Sequence, residues 1–168
     1  MKPPLSNSLQ VLETAFEKRR GISRVESRTG FAQVHVSNLE EPLTVSRLQV
    51  LGAIGDGGIS LDFLKMTQTG LSFLVTEESA EMVSQVLKTL GVHFSVRKER
   101  EILLVHAVNM RDEEGLIARI VLEAIACGVR VDHISDMHDR MLMVVAAEEA
   151  PKLRERIEEE LMGVAHAH

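Results

Sequence analysis

No Trp and no Tyr occur among the 168 residues, and Phe is present only five times. A core built from this chain must therefore be aliphatic, filled by Leu, Ile, Val and Met. An RNA-binding surface that stacks bases on aromatic side chains has little to work with. Basic charge is also short. The net charge is -6, and Lys and Arg are scattered apart from the run Lys18-Arg19-Arg20. That balance argues against nucleic acid, whose backbone calls for a basic face. The single Cys, Cys127, cannot form an internal disulfide, which implies a reducing, cytoplasmic setting. No apolar run approaches a membrane span, and Met1-Lys2-Pro3-Pro4 is not followed by an apolar signal core. Neither nucleic acid nor membrane is an expected partner.

What the chain does have, it has twice. Shifted by seventy positions, Gly58-Ile59-Ser60-Leu61-Asp62-Phe63-Leu64 lies over Gly128-Val129-Arg130-Val131-Asp132-His133-Ile134. The same shift lays Leu71-Ser72-Phe73-Leu74-Val75 over Met141-Leu142-Met143-Val144-Val145. Polar and apolar positions agree while few residues are identical, the mark of a tandem repeat. The length suits two units of about 65 to 75 residues, small enough that each is marginal alone.

Residues Ser6 to Arg20 read as a helix with Leu9, Leu12 and Phe16 on one stripe, followed by a short strand at Ile22 to Glu26 and a turn through Arg28-Thr29-Gly30. The first repeat opens with strand Phe31 to Val36. Its first helix, Thr44 to Asp56, is expected to turn Val45, Leu48, Leu51 and Ile54 inward and to end at Gly57-Gly58. Two strands follow, then a helix with Val83, Val86, Leu87 and Leu90 inward, then strand Val92 to Arg97. The second repeat restarts at Ile102 to Val108, and its first helix carries Ile117, Ile120, Val121, Ala124 and Ile125 on one face. Its last helix buries Leu153, Ile157 and Leu161. The predicted fold is α+β: two ferredoxin-like βαββαβ units with antiparallel four-stranded sheets, preceded by an N-terminal helix. The expected boundaries are 1–21 for that helix, 31–98 for the first domain, 22–26 with 101–162 for the second, and 163–168 for a tail. The second repeat lacks a fourth strand of its own, and an open edge is a liability. Residues 22–26 are expected to complete that sheet; the rival is a plain hairpin with 31–36.

These repeats resemble ACT domains, and the tandem resembles the regulatory region of aspartokinases over Ile22 to Leu161. The family pattern Gly-(Ile/Val)-Asn-(Ile/Val)-(Asp/Glu)-(Met/Leu)-Ile is matched by both glycine-led segments quoted above. Val108-Asn109-Met110-Arg111-Asp112-Glu113-Glu114-Gly115-Leu116 is similar to the family's Gly-Met-Arg-x-x-Pro-Gly-Val. Nothing in the chain resembles the kinase portion. In the first repeat Leu43 stands where the Gly of Pro-Gly belongs, and the spacing from Leu43 to Asp62 reads as a longer, more obstructed loop. Arg130 replaces the usual Asn.

A free amino acid presents a carboxylate and an ammonium on one carbon. Backbone N–H groups at a helix start suit the carboxylate, and a Gly there permits close approach. Asn109, Asp112, Gly115 and Leu116 make such an entrance. An acid and free carbonyls at a strand end suit the ammonium, from Ser60, Leu61 and Asp62 or from Val131 and Asp132. The plainer account makes Gly115 a tight turn and the two Asp residues solvated strand ends. Thr67 and Gln68 could line the ligand's side-chain end or simply form a polar turn. Gly52, Gly55, Gly57 and Gly58 fit a helix C-cap better than a phosphate loop. Asp132, His133, Asp136, His138 and Asp139 hold potential metal ligands, but strand alternation points His133 away from Asp132. Cys127 reads as a buried, inert thiol. No catalytic residue, metal or cofactor is expected. The resemblance implies a noncatalytic allosteric module that senses an amino acid such as lysine or threonine at a junction between ACT units. It further implies a homodimer through those units, with an aspartokinase catalytic chain or another biosynthetic enzyme as partner. The narrow apolar stripe of the Ser6 to Arg20 helix makes it the expected docking segment. The alternatives are a ligand-free dimerising scaffold and a small metal-binding enzyme using Asp132 to Asp139.

Overall fold

The computed structural model describes residues 21–108, 110 and 114–162. The expected N-terminal helix and the 163–168 tail lie outside them. The elements are β1 (Gly21–Ser37), α1 (Leu43–Asp56), β2 (Asp62–Met66), β3 (Leu71–Thr76), α2 (Ala80–Leu90), β4 (His93–Val108), α3 (Leu116–Ala126), β5 (Val131–Asp136), β6 (Arg140–Ala146) and α4 (Ala150–Ile157). The chain divides into a first unit, Thr29–Glu101, and a second made of Met1–Arg28 with Ile102–His168. Strands β1 and β4 each contribute to both. Strand order is β2-β3-β1-β4 in the first unit and β1-β4-β6-β5 in the second. With its two helices each unit is a ferredoxin-like βαββαβ fold.

In the first unit the core follows from strand alternation. Ala32, Val34 and Val36 of β1, all fully buried, stand opposite Val75, Phe73 and Leu71 of β3. Val50 and Ile54 of α1 and Val83 and Leu87 of α2 pack on that layer. Two expected inward residues of α1 point elsewhere: Val45 is 49% exposed and Leu48 65%. Apolar residues surround this helix, so spacing alone does not select a face. Leu90 and Ile125 are likewise exposed, the latter at a helix's last turn.

In the second unit, residues 21–28 lie with β4. Val25 is buried in the same cluster as Leu103, Val105 and Ile157. The Ser23 hydroxyl donates to the His106 carbonyl at 3.2 Å, and the Glu26 carboxylate meets His106 Nε2 at 3.2 Å. No turn interrupts β1 at Arg28-Thr29-Gly30: the strand runs through, with Gly30 at a positive φ of 81° inside it. A strand glycine can mark an irregularity as well as a turn. Residues 101–107 of β4 and most of β6 are buried on both faces. Leu103, Val105, Met141 and Met143 belong to the helix-covered cluster, while Ile102, Leu104, Leu142 and Val144 alternate onto the opposite face and are buried too. Arg156 of α4 donates to Glu123 of α3 at 2.7 Å. That hydrogen bond, then the charge of Glu160, pushes the guanidinium further above its ordinary range.

The repeat keeps one frame at the far ends of its first helices but not in its first strands, whose core residues are even-numbered in β1 (Ala32, Val34, Val36) and odd-numbered in β4 (Leu103, Val105, Ala107). Helices α1 and α3 end seventy positions apart, at Asp56 and Ala126, each in a left-handed glycine, Gly58 (φ 69°) and Gly128 (φ 74°). The next residue's N–H then reaches back five positions, Ile59 to the Ile54 carbonyl and Val129 to that of Ala124. The helices differ at their starts. Helix α1 has 14 residues and α3 has 11, so the first unit carries one extra N-terminal turn. The strand-to-helix loop is thus shorter in the first unit, 38–42, than in the second, 109–115. The longer first loop expected from the Leu43 to Asp62 spacing is overturned, because those residues are helical.

Glycines of the first unit separate into two kinds. A Cβ at Gly70 would collide with the Val36 carbonyl, whereas at Gly52 nothing lies within 4 Å. Gly70→Ala should destabilise by about 1–3 kcal/mol and Gly52→Ala should stabilise by about 0.5–1 kcal/mol. Urea unfolding midpoints should move in opposite directions.

Candidate functional site

The two helix entrances have diverged. At α1 the chain occupies its own donors. The Leu43 N–H donates to the Glu41 carboxylate at 3.0 Å, and the Val45 and Ser46 N–H groups donate to the Pro42 carbonyl at 3.0 and 3.2 Å. The Ser46 hydroxyl donates to the Glu40 carbonyl at 2.6 Å. This end already holds a carboxylate, its own. At α3 the cap is Gly115, exposed and left-handed (φ 75°), and the first turn contains no acid. The Arg119 N–H closes that turn onto the Gly115 carbonyl at 2.9 Å. Leu116 is 2% exposed and its side chain belongs to the core, so only its backbone faces outward chemistry. Asn109 and Asp112 lie outside the described residues.

The two strand ends also differ. Ser60 and Asp62 are exposed and Leu61 packs on the first core. Val131 packs on the second core, while the Asp132 side chain is only 4% exposed. Burying a carboxylate requires a partner. Arg130 supplies one, its Nε 3.4 Å from Asp132 Oδ1, from a side chain that is itself largely in solvent. Both outer strands are irregular beside the acid, with one extra residue between Asp62 and Lys65 opposite β3 and one between Val131 and His133 opposite β6. Such bulges re-aim side chains at the edge of a sheet. Phe63, inside the first, has a positive φ of 52°.

Within a unit the helix entrance and the acid do not meet. The Met110 N–H donates to the His138 carbonyl at 3.0 Å, so the entrance lies by the β5–β6 turn. Asp132 follows the far end of α3, a helix that spans roughly 16 Å. The equivalent β2–β3 turn is held to α1 by Arg47, whose Nε and Nη2 donate to the Gly70 and Thr67 carbonyls at 3.0 and 2.6 Å. That turn is therefore a braced structural element, with the Thr67 hydroxyl buried and lacking a hydrogen-bond partner. Neither Arg47 nor the Glu41 cap was among the expected functional residues. An acid directly before a helix start is a readable cap signal, whereas nothing in the spacing singles out Arg47. Among the described residues no three of His, Cys, Asp and Glu gather as metal ligands. Asp139 lies 3.3 Å from Arg140 Nε. Cys127 is half-buried rather than buried, its thiol donating to the Ala124 carbonyl at 3.4 Å.

No protein-family model matches the sequence, and no curated protein does. Solved structures do. The ligand-free regulatory subunit of aspartate kinase from Thermus thermophilus matches with a TM-score of 0.73 at 16% identity, over 83% of this chain and 97% of that one. A structure of aspartokinase alpha and beta subunits matches at 0.73 and 16%, over 82% of this chain and 97% of that one. The fold is that of an aspartokinase regulatory region. E. coli aspartokinase III in complex with lysine and aspartate matches at 0.64 and 11%, over 84% of this chain and 33% of that one. At these identities the likeness is one of fold, two ACT units in tandem.

The self-capped α1 entrance yields a direct check. Glu41→Ala should release the Leu43 amide, raise its hydrogen-exchange rate and cost about 0.3–1 kcal/mol of stability. An unchanged exchange rate would contradict the cap.

Proposed function

We propose that this chain is a noncatalytic regulatory module that binds a small amino acid and reports it to a catalytic partner. The observation that supports this reading most is the extent of the fold match, which takes in 97% of a regulatory subunit. The site chemistry agrees with it. Backbone donors at Gly115 suit a carboxylate provided the acids Asp112, Glu113 and Glu114 point away from it, and Asp132 with the Val131 carbonyl suits an ammonium. Those halves sit at opposite ends of α3, so one ligand is held by the entrance of one ACT unit and the strand end of another. Ser60, Leu61 and Asp62 offer a second, more exposed strand end.

Apolar surface on the outer elements supports pairing between units in a homodimer. Ile134 and Met137 beside β5 are 40% and 42% exposed, and Leu122 and Ile125 on α3 are 60% and 68% exposed. Leu64 and Met66 on β2 repeat the pattern in the first unit. Closely spaced exposed apolar side chains mark an association surface.

The effector is lysine or threonine in this reading. Lysine is bound in the E. coli neighbour, and both follow from the aspartokinase resemblance. Its ammonium competes with Arg130 for Asp132. Binding shifts the packing of paired units, a coupling of about 1–3 kcal/mol, and the partner is an aspartokinase catalytic chain or another biosynthetic enzyme. A ligand-free dimerising scaffold is the second reading, favoured by the Arg130 that already occupies Asp132.

A thermal-shift screen against the twenty amino acids separates the two. Lysine or threonine at a hundred times its dissociation constant should add about 2.7 kcal/mol, whereas no movement with any amino acid leaves the scaffold. Asp132→Asn should weaken binding tenfold or more, and Asp62→Asn should not. Leu122→Glu with Ile125→Glu should shift sedimentation from dimer to monomer; a parent that already sediments as a monomer removes the homodimer.

A further inference from the structure

We infer that the first unit carries a separate binding site, a cavity that takes a small organic cation such as a linear amine. The cavity has a volume of about 240 Å³ and lies wholly within Thr29–Glu101. Its walls are residues 38–40 after β1, Ser46, Gln49 and Val50 on α1, and residues 90–93 where α2 turns into β4. This is the α2 side of the α1 entrance, away from the outer strand and its acid.

The second unit provides an internal control. In the shared frame of α1 and α3, seventy positions on, Ser46 becomes Leu116. Leu116 is 2% exposed and belongs to the second core. At this helix position the second copy fills its core with a leucine, and the first presents a serine to a polar hollow. The fold therefore does not require the space, and an unfilled hollow forfeits packing.

Charge decides what fits. Among the ten lining residues Glu40 is the one carboxylate, none is Lys or Arg, and His93 is the one side chain able to take up a proton as a cation. The wall at 90–91 is the C-terminal end of α2, whose last carbonyls carry the negative pole of the helix. Lys88 sits in that last turn but not in the lining. Ser46, which spends its proton on the Glu40 carbonyl, keeps acceptor capacity, and Asn38 and Gln49 add amide oxygens. Anions are disfavoured twice, by Glu40 and by the Glu41 carboxylate already on the Leu43 amide. At about 30 Å³ for each water displaced, the volume matches a molecule of roughly eight heavy atoms.

The test is a titration of the full chain followed by amide proton–nitrogen spectra, with 1,4-diaminobutane as probe and 1,4-butanediol as its uncharged twin. The diamine should produce saturable shifts at Gly91, His93 and Leu39, and the diol should bind at least tenfold more weakly. Glu40→Gln should lose tenfold or more in affinity. Ser46→Leu, which installs the side chain of the second unit, should abolish binding while the rest of the spectrum stays folded; if it fails to fold, Glu40→Gln decides alone. Asp132→Asn should leave the diamine titration unchanged, so this site stands or falls apart from the amino-acid site. Equal affinity for the diol, an unaffected Glu40→Gln, or no saturable shift up to about 10 mM would overturn the assignment.

Discussion

The β4 edge of the second unit is the constraint on which that unit depends. Residues 102–162 supply three strands and two helices, and without a neighbour at that edge a row of backbone donors and acceptors would face water. Residues 21–28 supply the neighbour. The pairing does more than close hydrogen bonds, because it sets Val25 into the core beside Leu103 and Val105. His106 is nine-tenths buried by side chain and spends both its carbonyl and its ring on this strand, through Ser23 and Glu26. Helix packing on the other side is ordinary amphipathic burial, and it presupposes a complete sheet.

On that shared framework the two copies have drifted at their helix entrances more than anywhere else. Sheet order and the glycine-capped ends of α1 and α3 agree between the copies, as expected of parts set by backbone geometry and burial. The entrances carry no such burden, since loops tolerate change. One has become an extra turn capped by Glu41, and the other a glycine-led opening. The bulges beside Asp62 and Asp132 have likewise shifted by a residue, leaving one acid in solvent and the other under Arg130. The two copies thus present helix entrances and strand ends of different character on one plan.

How far the sequence could be read follows from the physics of each feature. The order of elements, the left-handed glycines after α1 and α3 and the ferredoxin-like fold were readable because periodicity and turn chemistry are local. The inward face of α1 was not, since Leu43, Val45, Leu48, Val50, Leu51 and Ile54 surround the helix and only the tertiary partner selects Val50 and Ile54. The continuity of β1 through Arg28-Thr29-Gly30 was hidden by a signal that turns and strand irregularities share. At the candidate site, Gly115 was readable as a helix start. The Arg130 cover on Asp132 and the Arg47 brace were not, because they depend on where long side chains settle. The loop lengths were misjudged for a related reason: a three-residue extension of a helix and a three-residue loop look alike in spacing.

The strand lent by 21–28 also bears on how the chain is made. Its bonding partner at His106 lies 80 residues later than Glu26. At a synthesis rate of roughly 5–20 residues per second, that strand emerges several seconds before anything can pair with it, and Thr29–Glu101 is itself complete only just ahead of that partner. Val25 and its neighbours spend that interval uncovered on the ribosome, an open β-edge competent to recruit any passing extended segment, including one from a neighbouring nascent chain.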